Sequence, residues 1–142
     1  MTAEQELRDL IEERARAVRA RDRDALAGHP AEDVVTFDVL PPLNSRGNEA
    51  VLGHLDRWLD SYAGPIDYTV RDLQVSAAGD LGFCSFLYHV GGTLKTGGQV
   101  DMWVRATLCF RRLDGRWRIV HDHESVPFDP ATGQALITMQ PQ

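Results

Sequence analysis

Between Trp117 and Phe128 the chain reads WRIVHDHESVPF, and two kinds of proton-handling group alternate along it. In an extended strand successive side chains point to opposite faces. His121 and His123 therefore share one side, and Asp122 and Glu124 share the other. Two carboxyls on one face suit acid–base chemistry where that face lines a cavity, because burial and a neighbouring acid both raise a carboxyl's pKa. Two imidazoles on one face suit a metal pair or a subunit contact. No third ligand follows His121-x-His123 at a suitable spacing, so no metal is expected there.

The turn before this strand decides which side is inside. If Leu113–Gly115 (LDG) forms a three-residue hairpin loop, Leu108 pairs with Val120, Ala106 faces Asp122, and Val104 faces Glu124. That face gathers Met102, Val104, Ala106, Leu108, Phe110 and Val120 beside the two acids, which is the composition of a cavity wall. The opposite face gathers Trp103, Arg105, Thr107, Trp117, Ile119, His121 and His123, the mixture expected of a subunit interface or an alternative polar site. A two-residue Asp-Gly loop would shift every partner by one and bring the histidines to Leu108 and Ala106. We adopt the three-residue form.

Three more residues are placed where they could act. Arg14 interrupts the apolar stripe of the first helix, and a buried guanidinium needs a carboxylate or an anionic ligand. It is either a clamp for a carboxylate or enolate-like oxygen, or a structural partner of Asp122 or Glu124. Asp38 lies in VTFDVLPPL, where apolar neighbours would desolvate it and suit it to act as a general base; the alternative is an Asx cap on the turn. His54 and Trp58 share a helix and are candidate ligand contacts, with the helix rim as the alternative for His54.

The elements that must hold these residues are legible. Thr2 and Gln5 form a capping box, opening a helix to about Arg21, with Leu7, Leu10, Ile11, Arg14, Ala17 and Val18 on one stripe. A short turn of helix, DALAG, ends at Gly28, and DVVTFDVL is strand-like up to Pro41–Pro42. A third helix starts near Asn48 and stops at Gly64-Pro65. Long strands follow to Phe128, an α+β plan in which helices pack on a strongly curved antiparallel sheet and enclose a pocket.

One domain is expected over 1–142, with 130–142 as a tail on the surface or on a partner. A formal charge of −6 speaks against general nucleic-acid binding. The acidic N-terminal segment and the absence of a membrane-length apolar run point to a cytoplasmic chain without membrane partners. Cys84 and Cys109 fall in apolar strand-like runs, as reduced buried thiols do.

The segments AGDLGFCSFLYHV and VRATLCFRRLDGRWRIVHDHESVPF resemble the SnoaL-like branch of the NTF2-like superfamily, which includes the ketosteroid isomerases. The resemblance implies a cystatin-like cone, an internal pocket and a homodimer formed through the sheet. It also implies that Asp38 stands at the isomerases' general-base position, with Val120, Asp122 and Glu124 on the pocket side of the last strand. The isomerases' oxyanion-hole tyrosine matches Arg14 here, and their protonated aspartate matches Ala106 or Thr107. Steroid isomerisation itself is therefore not expected. What the resemblance implies is a cofactor-independent isomerase, cyclase or dehydratase working by proton transfer on a small apolar carbonyl compound. The alternative is a non-catalytic ligand-binding or assembly domain like the association domain of calmodulin-dependent kinase.

Overall fold

The computed structural model describes residues 1–142. Helix α1 (Ala3–Ala20) begins at the expected capping box. The Gln5 N–H donates to Thr2 Oγ1, and the Thr2 N–H donates to Gln5 Oε1, so two otherwise unpaired helix-end donors are satisfied. Its stripe of Leu7, Ile11 and Val18 is buried. The sheet comes so close at Gly82 that a Cβ there would stand 2.6 Å from Leu7 Cδ1. Helix α2 (Arg23–Ala27) is capped by Asp22 and followed by strand β1 (Pro30–Phe37), the two-residue β2 (Ser45–Arg46) and helix α3 (Asn48–Asp60). Strands β3 (Asp67–Ala78), β4 (Leu81–Thr93), β5 (Gln99–Leu113) and β6 (Arg116–Ser125) complete the α+β fold.

The strands form one sheet in the order β2-β1-β6-β5-β4-β3. From β3 to β6 the neighbours are antiparallel, as expected from their short connections. Strand β1, however, runs parallel to β6, with Thr36 beside Asp122, so the sheet is mixed rather than wholly antiparallel. Parallel pairing needs a long crossover, and α3 with the four intervening strands supplies one. A register shift in β3 between Arg71 and Gln74, where Asp72 has φ 57°, is a bulge of the kind that bends a strand.

The β5–β6 hairpin differs from expectation in an instructive way. Its loop is the two-residue Asp114-Gly115 turn: Leu113 pairs with Arg116, and both loop residues have positive φ (52° and 77°), the primed-turn geometry. That loop alone would set Leu108 against His121. A bulge intervenes, since Phe110 pairs with Ile119 but Cys109 pairs with His121, leaving Val120 as the extra residue. Beyond it Leu108 faces Asp122 and Ala106 faces Glu124. The acids thus share a face with Leu108 and Ala106 as predicted, while the predicted partners Leu108–Val120, Ala106–Asp122 and Val104–Glu124 do not occur. The bulge also corrects the assignment of Trp117 and Ile119 to the outer face. They lie before it, point inward, and are 8% and 2% exposed.

After β6 the chain folds back on itself. Phe128 bridges Ala135, and the Trp103 N–H donates to the Ile137 carbonyl at 2.8 Å. The final segment therefore borders β5 where β6 has ended.

Candidate active site

A cavity of about 790 Å³ lies between the helices and the inner face of the sheet. Its wall is largely apolar, with Val18 and Leu26 from the first two helices, Val51, Leu55 and Trp58 from α3, and Val90, Val100 and Met102 from the sheet. Leu40, Pro41 and Pro42 border it on the segment after β1. Into this surface project Arg14, Thr36, Asp38, His54, Tyr68, Tyr88, Asp122 and Glu124.

Asp122 and Glu124 lie side by side, each acting on the other's carboxyl. Burial raises both carboxyls above the ordinary range, and for Glu124 the neighbouring Asp122 charge adds to the effect and takes it well above. Two carboxylates side by side in an apolar setting repel each other, an arrangement that favours keeping a proton between them. Asp122 Oδ1 is buried without a hydrogen-bond partner among the ordinary donors of the chain. A retained proton relieves the repulsion and offers such an oxygen a donor. The Tyr88 hydroxyl donates to Glu124 Oε1 at 2.5 Å. Burial, with the Glu124 charge next, pushes that phenol well above its ordinary value. The Tyr68 ring stacks on Tyr88 at 4.8 Å, and its own phenol is pushed up by burial and then by Glu124. Burial thus pushes every carboxyl and phenol of this cluster upward.

Arg14 reaches the cavity from α1, but its hydrogen bond goes elsewhere than expected. Its Nη1 donates to His29 Nδ1 at 3.1 Å, and it forms an ion pair with neither Asp122 nor Glu124. Its charge still acts on Asp122 through space, opposing the upward shift. His29 is 8% exposed. Burial, followed by the charges of Arg14, Arg118 and Arg116, lowers its pKa from 6.5 to about 4. The imidazole is therefore neutral, as its role of acceptor from a guanidinium requires.

Asp38 does not meet the expectation of a desolvated base. It is exposed, at the cavity edge one residue past the end of β1, and its Oδ1 accepts the Leu40 N–H at 3.3 Å. This is the Asx turn weighed above. It contributes instead through its charge, which raises both Asp122 and Glu124. His54, Trp58 and Met102 line the cavity as proposed. Val104, Ala106 and Leu108 face inward but are buried in the core, outside the cavity wall, and Val120 is the bulge residue and lies off it too. They lie nearer the β5–β6 turn than Met102 and Val100, in the part of the sheet that packs against Leu7 and Ile11.

On the outer face, His121 and His123 meet the edge of the Phe37 ring, at 4.8 and 5.4 Å between centroids. His121 Nδ1 bonds the Val35 carbonyl at 2.8 Å. Trp103 lies beside His89, and Arg105 Nε donates to Ser125 Oγ. No group of three or more His, Cys, Asp or Glu side chains is arranged to hold a metal ion. Both cysteines are free, and burial pushes the Cys84 thiol up to about 12. No helix is long and apolar enough to cross a membrane.

Sequence reading missed Tyr88 and His29. Tyr88 left a signal: it is the one polar member of the inward row Cys84, Phe86, Tyr88, Val90, and a buried tyrosine hydroxyl needs a partner. His29, a lone imidazole between Gly28 and Pro30, left none.

No curated protein matches the chain. Among solved structures, an NTF2-like protein of unknown function from Pseudomonas putida KT2440 is 35% identical, with 98% of this chain and 96% of that one aligned at a TM-score of 0.90. A candidate dehydratase of the NTF2-like family from Streptomyces avermitilis shares the fold at 19% identity, TM-score 0.74, over 85% of this chain and 93% of that one. A candidate ketosteroid isomerase from Shewanella frigidimarina NCIMB 400 does so at 22% identity, TM-score 0.68, over 82% and 92%. The family model of the SnoaL-like domain matches residues 7–129. The chain belongs to the SnoaL-like family of the NTF2-like superfamily.

Proposed function

We propose that the cavity performs cofactor-independent proton transfer on a small, mostly apolar carbonyl compound, as an isomerase, cyclase or dehydratase would. The observation that carries this reading is the Asp122–Glu124 pair in contact with Tyr88 on an apolar wall. Such a pair holds one proton to give and one carboxylate to receive, which is the division of labour acid–base catalysis needs. Glu124 is the acid and Asp122 the base. Tyr88, by donating to Glu124, favours its ionised form and eases release of the proton, Arg14 offers its charge to a developing enolate, and Asp38 is a second base at the cavity edge. The fold shared with a candidate isomerase and a candidate dehydratase agrees with this reading. The test is exchange of carbon-bound hydrogen for deuterium in a panel of unsaturated ketones, followed by NMR. Catalysed exchange that Glu124→Gln and Asp122→Asn both abolish is the expected result; exchange indifferent to both substitutions would refute the assignment.

The alternative reading, a non-catalytic binding or assembly domain, shares one expectation with the first: a homodimer through the outer face of the sheet. Leu81 and Phe83 are 55% and 53% exposed, with Leu113 at 38% and Phe37 at 39%. Exposed apolar side chains on this face support a subunit contact there. Light scattering of the purified chain should give a dimer mass, and Phe83→Glu should reduce it to a monomer; a wild-type monomer at micromolar concentration refutes the dimer.

A further inference from the structure

Arg14 carries a full charge at the edge of an apolar cavity, and two carboxyls of the same wall would be its natural partners. It does not pair with them. The residue that holds it, His29, is outside the cavity wall and plays no part in the proton transfer described above.

His29 is itself held firmly. Its N–H donates to the Leu26 carbonyl at 3.3 Å, and its carbonyl accepts the Ile119 N–H at 2.8 Å. The Arg118 guanidinium donates to the carbonyl of the preceding residue, Gly28. The ring is thus tied by main chain to α2 on one side and to β6, next to the bulge, on the other. Arg14 has only donors, so His29 Nδ1 must be the acceptor, and the imidazole proton resides on Nε2. That nitrogen faces Glu13 Oε2 at 3.9 Å. The groups facing the ring are therefore Glu13 and Arg14 from α1 and Arg116 and Arg118 from β6. Burial first, and then three cations against one half-exposed carboxylate, keep the ring neutral and accepting.

We propose that His29 is a positioning residue for Arg14: by accepting from its guanidinium, it keeps that group out of an ion pair with Asp122 and Glu124 and leaves it free for an anionic oxygen of the ligand. Without the imidazole acceptor, Arg14 would turn to the carboxyls of the cavity wall, where its charge already acts on Asp122, since a half-buried guanidinium without a hydrogen-bond acceptor is costly. The ion pair so formed would strip the shared proton from the carboxyls and occupy the cation at once. This inference rests on the reading of Asp122 and Glu124 as a proton-sharing pair, and it predicts an effect on that pair from a residue that touches neither member.

The experiment follows the protonated-carboxyl stretch of the full-length protein by infrared difference spectroscopy across pH, with Glu124→Gln to assign the band. Other charges and phenols at the pair (Asp38, Tyr68, Tyr88, Cys84) are unchanged throughout. In His29→Leu the midpoint should fall by at least about one pH unit, the effect of a cation brought into contact with a carboxylate. His29→Gln, which keeps an acceptor near Nδ1, should restore it, as should adding Arg14→Met to His29→Leu. A folded His29→Leu protein whose band titrates as in the wild type overturns the proposal. The wild type offers a second test that needs no variant: imidazole nitrogen NMR should show a bare, hydrogen-bonded Nδ1 at neutral pH, and a protonated Nδ1 overturns the proposal. A wild type with no protonated carboxyl at neutral pH sinks the shared-proton reading and the inference together. Normal carboxyl titration with no catalysed exchange sinks only the proposed reaction.

Discussion

Asp122 and His121 are adjacent in sequence and belong to different chemistries. On the inner face of β6, Asp122 and Glu124 look into an apolar cavity, burial raises the pKa of both, and Glu124 accepts a hydrogen bond from Tyr88. On the outer face, His121 and His123 rest on the ring of Phe37, and His121 is tied to a main-chain carbonyl of β1. Both faces carry two titratable groups at the same spacing. The difference lies in the surroundings: the carboxyls are desolvated beside each other, whereas His121 has a backbone partner and His123 is open to solvent. What makes this strand's acids candidates for chemistry is therefore the face they occupy, and a single bulge residue joins them to the inward stretch of Trp117 and Ile119.

The sharpest way to break the comparison is to remove the chemistry from each face in turn. Asp122→Asn and Glu124→Gln should each lower the deuterium-exchange rate by about 100-fold or more, the usual contribution of a positioned acid or base. His121→Ala and His123→Ala should change it by no more than about two-fold, as exposed substitutions do. Equal losses from both faces would mean that the outer imidazoles, or a partner they contact, take part in the reaction.

Deleting Val120 tests the device that joins the two inward stretches of the strand. Trp117 and Ile119 before the bulge and Asp122 and Glu124 after it already face inward. Without the extra residue the strand therefore alternates regularly from the Asp114-Gly115 loop, with Ile119 still opposite Phe110, His121 opposite Cys109 and Asp122 opposite Leu108. The deletion variant should fold and keep the catalysed exchange, which its Asp122→Asn and Glu124→Gln derivatives should lose. A folded deletion variant without exchange would show that the bend of the bulge itself, and not only the face of the acids, is needed at the site.

The bulge also explains how much was legible in the sequence. The helix start at Thr2 and Gln5 and the buried stripe of α1 could be read, because capping and helical periodicity are local. The inward face of Asp122 and Glu124 was read correctly by parity, although the reasoning assumed a three-residue loop. A two-residue loop plus one bulge moves the partners by two from that register, and a shift of two restores the face. Trp117, Ile119 and Val120 were misplaced for the same reason, since they lie on the turn side of the bulge or within it. Nothing local announces a bulge at Val120; it follows from burying Trp117, Ile119, Asp122 and Glu124 together. Asp38 was read as desolvated from its apolar neighbours in sequence, yet those neighbours alternate away from it and the chain leaves the sheet there. Tyr88 and His29 depend on contacts across 36 and 15 residues, which periodicity does not report.

Stability against pH sharpens the comparison further, because the two kinds of buried group act in opposite directions. The Glu124 carboxyl has a raised pKa in the folded protein. Its contribution is fully present below the unfolded value of 4.5 and is lost as pH rises toward the folded value. His29 has a folded pKa of about 4 against 6.5. Its contribution is present above 6.5 and is lost as pH falls through the window down to 4. Glu124→Gln, with no proton to lose, should melt higher than the wild type at neutral and alkaline pH, by about 2–4 °C for each kcal/mol gained. His29→Gln should flatten the decline on the acidic side alone. Calorimetry from pH 4 to 9 would check both, and a Glu124→Gln melting curve that tracks the wild type at every pH would contradict the shared proton.

The smallest expected effect concerns the outer face, and it separates structure from chemistry. His121 Nδ1 donates to the Val35 carbonyl at 2.8 Å across the parallel β1–β6 pair. This fixes the ring tautomer, leaving Nε2 as the bare nitrogen. Truncation to alanine removes that bond and the edge contact with Phe37, so His121→Ala should cost about 1 kcal/mol of stability. The His123 side chain makes no hydrogen bond and meets only the rings of Phe37 and His121, and its loss should cost less, about 0.5 kcal/mol or under. Urea unfolding of the two variants measures the difference. If His123→Ala instead destabilises the protein more than His121→Ala, and only at concentrations where a dimer forms, the outer imidazoles serve the subunit contact rather than the strand. The division of labour between the faces would then be assembly on one side and proton transfer on the other.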